Sequence, residues 1–268
     1  MKVSIITINL NNLRGLRRTM ESVASQTSKD YEWIVIDGGS TDGSKEFIEQ
    51  NSKHIAYWVS EPDNGIYHAM NKGIEVAKGD YFHFLNSGDS YASSDIIESF
   101  IKMSPTADVI YGNAIFVDEN EKEIRRQVSP SFIRLSNFWH KGGLNHQAMF
   151  FHERCFANYR YNESNRIASD TELHMHLLYN GYKFEKWDVF VDHFQIGGVS
   201  SVVLPSDYLE FNSIINRVLP PGVKADYDEI IQNRDVDLYI LIRRIIGSKR
   251  WVRNAARLAL LPFRLLLK

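Results

Sequence analysis

Trp33-Ile34-Val35-Ile36-Asp37-Gly38-Gly39-Ser40-Thr41-Asp42-Gly43-Ser44 is the stretch that decides how this chain is read. The apolar run at its head predicts a buried strand. A carboxylate, Asp37, stands at the strand's carboxyl end, and glycines follow at once. In an open α/β sheet, ligands bind beyond the carboxyl ends of the strands. The glycines permit positive φ and a close approach of backbone to a ligand. Asp42 or Ser44 can cap a helix that begins near Lys45. A first strand, Val3-Ser4-Ile5-Ile6-Thr7, ends in the same way at Asn9, ahead of a helix from about Leu13. Two strand ends with small polar tips predict a site for a nucleotide base and ribose. A capped turn that binds nothing is the plainer alternative.

Outward from this stretch the pattern repeats. Strands are expected at about 2–8, 32–37, 55–59 and 80–85, with helices at about 13–26, 43–51 and 65–77 between them. Such alternation predicts a parallel sheet with right-handed crossovers. A helix at about 93–102 and a strand at about 108–116 come next. Asp118-Glu119-Asn120-Glu121 reads as a hairpin turn. Residues 129–145, with Pro130, Trp139 and Gly142-Gly143, read as a loop over a site. A helix at about 170–180 and a strand at about 182–190 follow. Gly197-Gly198-Val199-Ser200 is a second ligand-facing loop candidate. Beyond Pro205 the chain reads as helical, interrupted at Pro220-Pro221.

The chain has 268 residues, 44% apolar and 24% charged, which suits a soluble protein with a sizeable core. A net charge of −2 gives no reason to expect a nucleic acid as partner. The single cysteine, Cys155, cannot form an intrachain disulfide, which fits a reducing cytoplasm. The first residues enter a strand directly, so no secretion signal is expected. No apolar run is long enough to span a bilayer.

Charge is nevertheless uneven. After Asp237 there is no acidic residue, while Arg243, Arg244, Lys249, Arg250, Arg253, Arg257, Arg264 and Lys268 alternate with leucines, Trp251 and Phe263. That composition predicts a basic amphipathic segment on a membrane surface. A helix packed on the domain with a solvated basic face is the alternative. The expected organisation is therefore a catalytic-type α/β domain at 1–204 and a helical extension at 205–268.

Two further segments carry chemistry. Tyr81-Phe82-His83-Phe84-Leu85 runs into Asn86-Ser87-Gly88-Asp89. A carboxylate beside a glycine at a strand end can hold a divalent cation against a diphosphate, because Mg²⁺ and Mn²⁺ take oxygen ligands and often need only one or two carboxylates. An Asx turn is the alternative. Glu61-Pro62-Asp63-Asn64-Gly65-Ile66-Tyr67 forms a turn before a helix that carries Asn71 and Lys72. Lys72 can meet a phosphate, or simply the negative end of its helix.

Together with Ile5-Ile6-Thr7-Ile8-Asn9, Ala69-Met70-Asn71-Lys72-Gly73, His146-Gln147, Ser169-Asp170 and Gly197-Gly198-Val199-Ser200, these stretches resemble the inverting glycosyltransferases of family 2. Within that family the texture is most similar to bacterial enzymes that build colanic-acid, O-antigen and capsule repeat units. The resemblance covers roughly residues 1–200. It implies a GT-A fold, a nucleotide-binding mixed sheet flanked by helices. It also implies transfer from a nucleotide sugar, a UDP-hexose or GDP-fucose, to a saccharide on a polyprenyl diphosphate. It implies Asp170 as catalytic base, with Glu172 as an alternative that the resemblance does not favour. It places Asp89 on a divalent cation, Mn²⁺ or Mg²⁺. It puts Thr7, Asn9, Asp37, Gly38, Asp63, Asn71, Lys72 and Asn86 around the donor, and His146 and Gln147 on the acceptor side. His193 could reach the diphosphate. The chain departs from the wider family where Asn86-Ser87-Gly88 replaces Asp-X-Asp, so Asn86 supplies no charge to a metal. Taken with the basic tail, the acceptor implies a cytoplasmic enzyme, peripheral on the inner face of the membrane. A nucleotidyltransferase is a different reading, but it calls for a basic glycine-rich loop where this chain has Ile8-Asn9-Leu10-Asn11-Asn12. A non-catalytic nucleotide-sugar-binding module is a third.

Overall fold

In the computed structural model, residues 1–138, 144–198 and 204–232 are described. Packing divides the chain into two compact units, Met1–Val218 and Leu219–Lys268.

The first unit opens with the expected alternation. Strand β1 (Val3–Asn9) is followed by helix α1 (Leu13–Ala24), β2 (Tyr31–Asp37), α2 (Ser44–Gln50), β3 (Tyr57–Ser60), α3 (Ile66–Val76) and β4 (Tyr81–Phe84). These four strands are parallel, in the spatial order β3-β2-β1-β4. The parallel pattern ends there. Strand β8 (Met149–His152) pairs antiparallel with β4, and β6 (Val109–Val117) pairs antiparallel with β8. The long strand β9 (Phe184–Gln195) runs parallel to β6, and β5 (Ser90–Tyr91) closes that edge antiparallel to β9. Strand β7 (Glu123–Gln127) forms the hairpin with β6. The sheet of the described residues is thus mixed, with nine strands.

Two of these strands have no counterpart in the sequence reading, for a clear reason. β5 has two residues and β8 has four, too short for periodicity to register. β9 extends five residues beyond the expected end at 190, to Gln195.

Alternation along each strand splits the core into two layers. Ile5, Val35, Tyr81 and Phe150 face one side, where they pack with Leu16, Ile48 and Phe100. Ile6, Ile34, Ile36, Phe82 and Phe84 face the other, with Tyr67, Met70, Leu173 and Leu177. So α1, α2 and α4 (Ile96–Met103) cover one face, while α3 and α5 (Ser169–Tyr179) cover the other. Gly73 is what lets α3 lie against β1, since a Cβ there would stand 2.4 Å from the Ile6 methyl.

Helix α6 (Pro205–Val218) belongs to the first unit, which therefore runs beyond the boundary expected at residue 204. The physical reason is a set of ion pairs. The Arg166 guanidinium grips Asp207, and Arg217 grips Glu172. In the second unit, Pro221 opens helix α7 (Pro221–Gln232), a position that suits proline because its missing N–H needs no partner there. No helix among the described residues is long and apolar enough to cross a membrane. The basic segment from Arg243 to Lys268 lies outside the described residues.

Candidate active site

The carboxyl ends of β1, β2 and β3 are in register, so Asn9, Asp37 and Ser60 stand in a row. Asp37 is fully buried in that row. Its Oδ1 accepts from Asn9 Nδ2 (2.7 Å) and Ser40 Oγ (2.5 Å). Its Oδ2 accepts from the Ser40 N–H (2.9 Å) and Ser60 Oγ (2.6 Å). Burial pushes this carboxyl up, but the hydrogen bonds from Ser40, Ser60 and Asn9 outweigh it and hold the group below the usual carboxylate range. Asp37 is thus a strut that ties the 38–43 turn to three strands. Asp42 extends the tie, accepting from the N–H groups of Leu13 (2.8 Å) and Ser44 (3.0 Å), the first residues of α1 and α2.

Beyond these strand ends lies a cleft of about 1210 Å³. Asn9, Asp63, Asn86, Asp89, His146, Gln147 and Asp170 all line it, although they come from five separate stretches of chain. The structure brings these seven expected residues together. The other five stand behind or beside the cleft. Besides Asp37, Thr7 is buried, donating to the Leu85 carbonyl (2.8 Å) and accepting from Trp33 Nε1 (2.9 Å). Gly38 makes room for Asp63, whose Oδ2 would lie 2.5 Å from a Cβ at that position. Asn71 clamps the Tyr161–Glu163 loop through both ends of its amide. Lys72 pairs with Glu61 at 2.6 Å.

Asp89 lines the cleft as a buried acid, with Asp192 buried beside it. Asp89 is 4% exposed, and its Oδ1 accepts from the Gln195 N–H (2.9 Å). Burial pushes it up to about 7, against the opposing pull of Gln195, His146 and Arg18. Asp192, on β9 opposite Tyr91, is also fully buried, and neither of its carboxyl oxygens has a hydrogen-bond partner. Burial and the neighbouring Asp89 drive it well above the carboxylate range. Asn86 turns its Nδ2 toward His146 Nε2 (3.4 Å) and leaves its buried Oδ1 without a partner.

Asp170 stands in the first turn of α5, 19% exposed. Its Oδ2 is 3.4 Å from His146 Nδ1, and its Oδ1 accepts from the Thr171 N–H (2.8 Å). Packing around it pushes the carboxyl up, but His146, His174 and the Thr171 N–H prevail and hold it below its ordinary value. Glu172 points elsewhere. Arg217 holds it bidentately (2.9 and 2.8 Å), and Asn165 donates to it at 2.6 Å. His193 is on the face of β9 opposite Asp192, half-buried near Arg18, Glu121 and Glu123, and does not line the cleft.

This is a cleft lined by a carboxylate held low, Asp170, and by a second, buried carboxyl, Asp89. Over residues 4–169 the chain matches the sequence model for glycosyl transferase family 2. It belongs to that family. A Mycobacterium tuberculosis relative, the uncharacterized glycosyltransferase Rv1514c, is 45% identical over 101 residues, but the match spans 37% of this chain and 38% of that protein. The PGL/p-HBAD biosynthesis glycosyltransferase Rv2957 of the same organism is 26% identical over 216 residues, covering 77% of this chain and 82% of its own. S. aureus TarS in complex with UDP-GlcNAc superposes with a TM-score of 0.66 at 17% identity, over 84% of this chain and 69% of that one. The mannosyltransferase PcManGT from Pyrobaculum calidifontis, in complex with GDP-Man and Mn²⁺, gives 0.59 at 14% identity, over 99% of this chain and 82% of that one. These superpositions show the GT-A fold. The family 2 chain described here also lines its cleft with residues the motifs do not announce. Phe116, Arg125, Phe194 and Gln195 come from the β6–β7 hairpin and the end of β9, and Phe211 comes from α6. A sequence signal existed for one buried neighbour. Asp192 directly follows the apolar run Val189-Phe190-Val191 in β9, and a buried acid there needs a reason.

Proposed function

We propose that the chain transfers a sugar from a nucleotide sugar, a UDP-hexose or GDP-fucose, to a hydroxyl of a lipid-linked saccharide, with inversion at the anomeric carbon. The observation that carries this reading is one cleft holding a carboxylate kept low, Asp170, together with Asp89, Asn86, Asn9 and Asp63. In that cleft Asn9 and Asp63 contact the nucleoside. Asp170 accepts the proton of the acceptor hydroxyl as its oxygen attacks the anomeric carbon and the bond to the diphosphate breaks. The transition state resembles an oxocarbenium ion, as in glycoside hydrolysis. His146 holds the Asp170 carboxylate ionised and oriented from one side, and Gln147 lines the acceptor side.

Asp89 and the orphaned Asn86 Oδ1 are hard oxygen donors, and they fit a divalent cation. No group of three or more His, Cys, Asp or Glu able to hold a metal occurs among the described residues, so donor phosphates would complete the shell. A cation held there supplies Lewis-acid stabilisation of the leaving diphosphate. The UDP-GlcNAc and GDP-Man seen with TarS and PcManGT support a nucleotide-sugar donor, and the Mn²⁺ of PcManGT supports the cation. The relative named for PGL/p-HBAD biosynthesis supports a role in making glycoconjugates. We place the enzyme in the cytoplasm, peripheral on the inner membrane face through residues 243–268.

The test is release of nucleoside diphosphate on mixing the full chain, Mn²⁺ or Mg²⁺, a panel of UDP- and GDP-sugars and a polyprenyl-diphosphate-linked saccharide. Acceptor-dependent release with one donor and an inverted linkage in the product is expected. Slow hydrolysis without acceptor also separates a transferase from a binding module. Release of pyrophosphate from a nucleoside triphosphate would instead make the chain a nucleotidyltransferase.

A further inference from the structure

The start of α5, which carries Asp170, is fastened from outside its own helix. Ala168 is the N-cap residue and has no side chain able to cap. An α-helix begins with N–H groups that lack intrahelical acceptors, and these must find partners elsewhere. Within the first turn, Asp170 Oδ1 receives the Thr171 N–H (2.8 Å). The approach to the helix depends on α6. Glu210 Oε2 accepts from the Arg166 N–H (2.7 Å), while its Oε1 accepts from the N–H groups of Ile167 (3.0 Å) and Ala168 (2.7 Å). One carboxylate thus holds three consecutive backbone amides, the last of them two residues before Asp170. Hydrogen bonds to an ionised acceptor are roughly twice as strong as neutral ones. The Arg166–Asp207 pair fastens the segment before α5 to α6, and the Arg217–Glu172 pair fastens α5 itself.

Glu210 itself does not line the cleft, whereas Asp207, Phe211, Asn212 and Ile215 of the same helix do. Helix α6 therefore supplies a wall of the cleft and, through a residue pointing at backbone, fixes the helix end that presents the carboxylate. We propose that Glu210 is the positioning residue for Asp170, setting where that carboxylate stands against the acceptor hydroxyl. The inference rests on the reading of Asp170 as base. A displacement of about 1 Å at a reacting group costs on the order of 10²-fold in rate, so loss of this clamp is felt in turnover and not in nucleotide binding.

The experiment compares Glu210→Ala, Glu210→Gln and Asp170→Asn in the full chain. It reads kcat, the KM of donor and acceptor, the Kd for the free nucleoside diphosphate by calorimetry, and the melting temperature. Glu210→Ala should lower kcat by about 10²-fold with the nucleotide Kd unchanged. Glu210→Gln keeps an amide oxygen for Ile167 and Ala168, and should recover about tenfold of that loss. A merely structural role would lower the folded fraction and leave the kcat of folded molecules and its recovery by glutamine unmoved. If Glu210→Ala does not fold, Glu210→Gln decides: reduced kcat at unchanged nucleotide Kd supports the clamp, and wild-type kcat overturns it. Folded Glu210→Ala with wild-type kcat overturns it too. Retained turnover in Asp170→Asn overturns the base assignment instead, so the two failures are distinguishable.

Discussion

The Nδ1 of His146 lies 3.4 Å from Oδ2 of Asp170, and the opposite ring nitrogen faces the Asn86 amide. One imidazole therefore joins the carboxylate on α5 to the strand end that carries Asn86 and Asp89. With Asn86 donating to Nε2, the ring offers its Nδ1–H to Asp170. The part of the cleft that holds Asp170 is thereby connected to the part that holds Asn86 and Asp89.

Asp170→Asn preserves shape but removes the basic oxygen. Turnover should fall by about 10²–10⁴-fold, while calorimetry with the nucleoside diphosphate shows unchanged affinity. Loss of nucleotide affinity in place of turnover would give Asp170 a different role.

His146→Ala tests the pH dependence. Asp170 must be ionised to act, and His146 is first among the groups holding its carboxyl below the ordinary value. Without the ring, that value rises toward or above the normal range. The acid limb of the kcat profile should then move to higher pH. An unmoved acid limb would show that another group sets it.

Asp89 gives a stability signature. Its folded value of about 7 lies above that of an unfolded aspartate, so the folded state binds the extra proton between about pH 4 and 7. Stability contributed by the protonated group is present at low pH and is lost as pH rises through 7. The metal-free chain should weaken over this window by up to about 4 kcal/mol, three units at 1.36 kcal/mol each. Asp89→Asn should flatten the curve, and Mn²⁺ with a nucleoside diphosphate should stabilise the wild type at pH 8 but not the variant. Urea melts from pH 4 to 8 measure both.

Asp37→Ala and Asp63→Ala should separate strut from contact. Removing Asp37 leaves Asn9, Ser40 and Ser60 without their acceptor, a loss of about 1–3 kcal/mol in unfolding free energy. Asp63 faces the cleft and should lose nucleotide affinity with little change in stability. Equal stability losses for the two would remove the distinction.

Truncation before Arg243 addresses the basic segment. Each lysine or arginine near an anionic surface contributes about 1 kcal/mol, so the truncated chain should leave vesicles containing anionic lipid that the full chain binds. Its activity should survive better on a short water-soluble acceptor than on a lipid-linked one. A truncated chain that fails to fold would make the segment a packed helix.

The sequence by itself determined the parallel half of the sheet, because alternating strands and helices of ordinary length leave periodic signatures, and Trp33–Ile36 is one of them. It also determined which strand ends carry polar residues, since Asn9, Asp37 and Asn86 each follow an apolar run. It gave no notice of β5 and β8, which are held by neighbours and not by their own pattern. Tertiary structure alone decided which polar tips face the cleft. Asp37 and Asp63 look alike in sequence, yet in-register Ser60 and Asn9 turn Asp37 inward, while the absence of a side chain at Gly38 leaves space for Asp63 beside the cleft. Likewise Asp170 and Glu172 are two residues apart on one helix. The roughly 100° turn per residue sends them to different sides, where His146 meets one and Arg217 the other. Those partners lie 24 and 45 residues away along the chain, and only the packing of α6 and the loop before β8 brings them there.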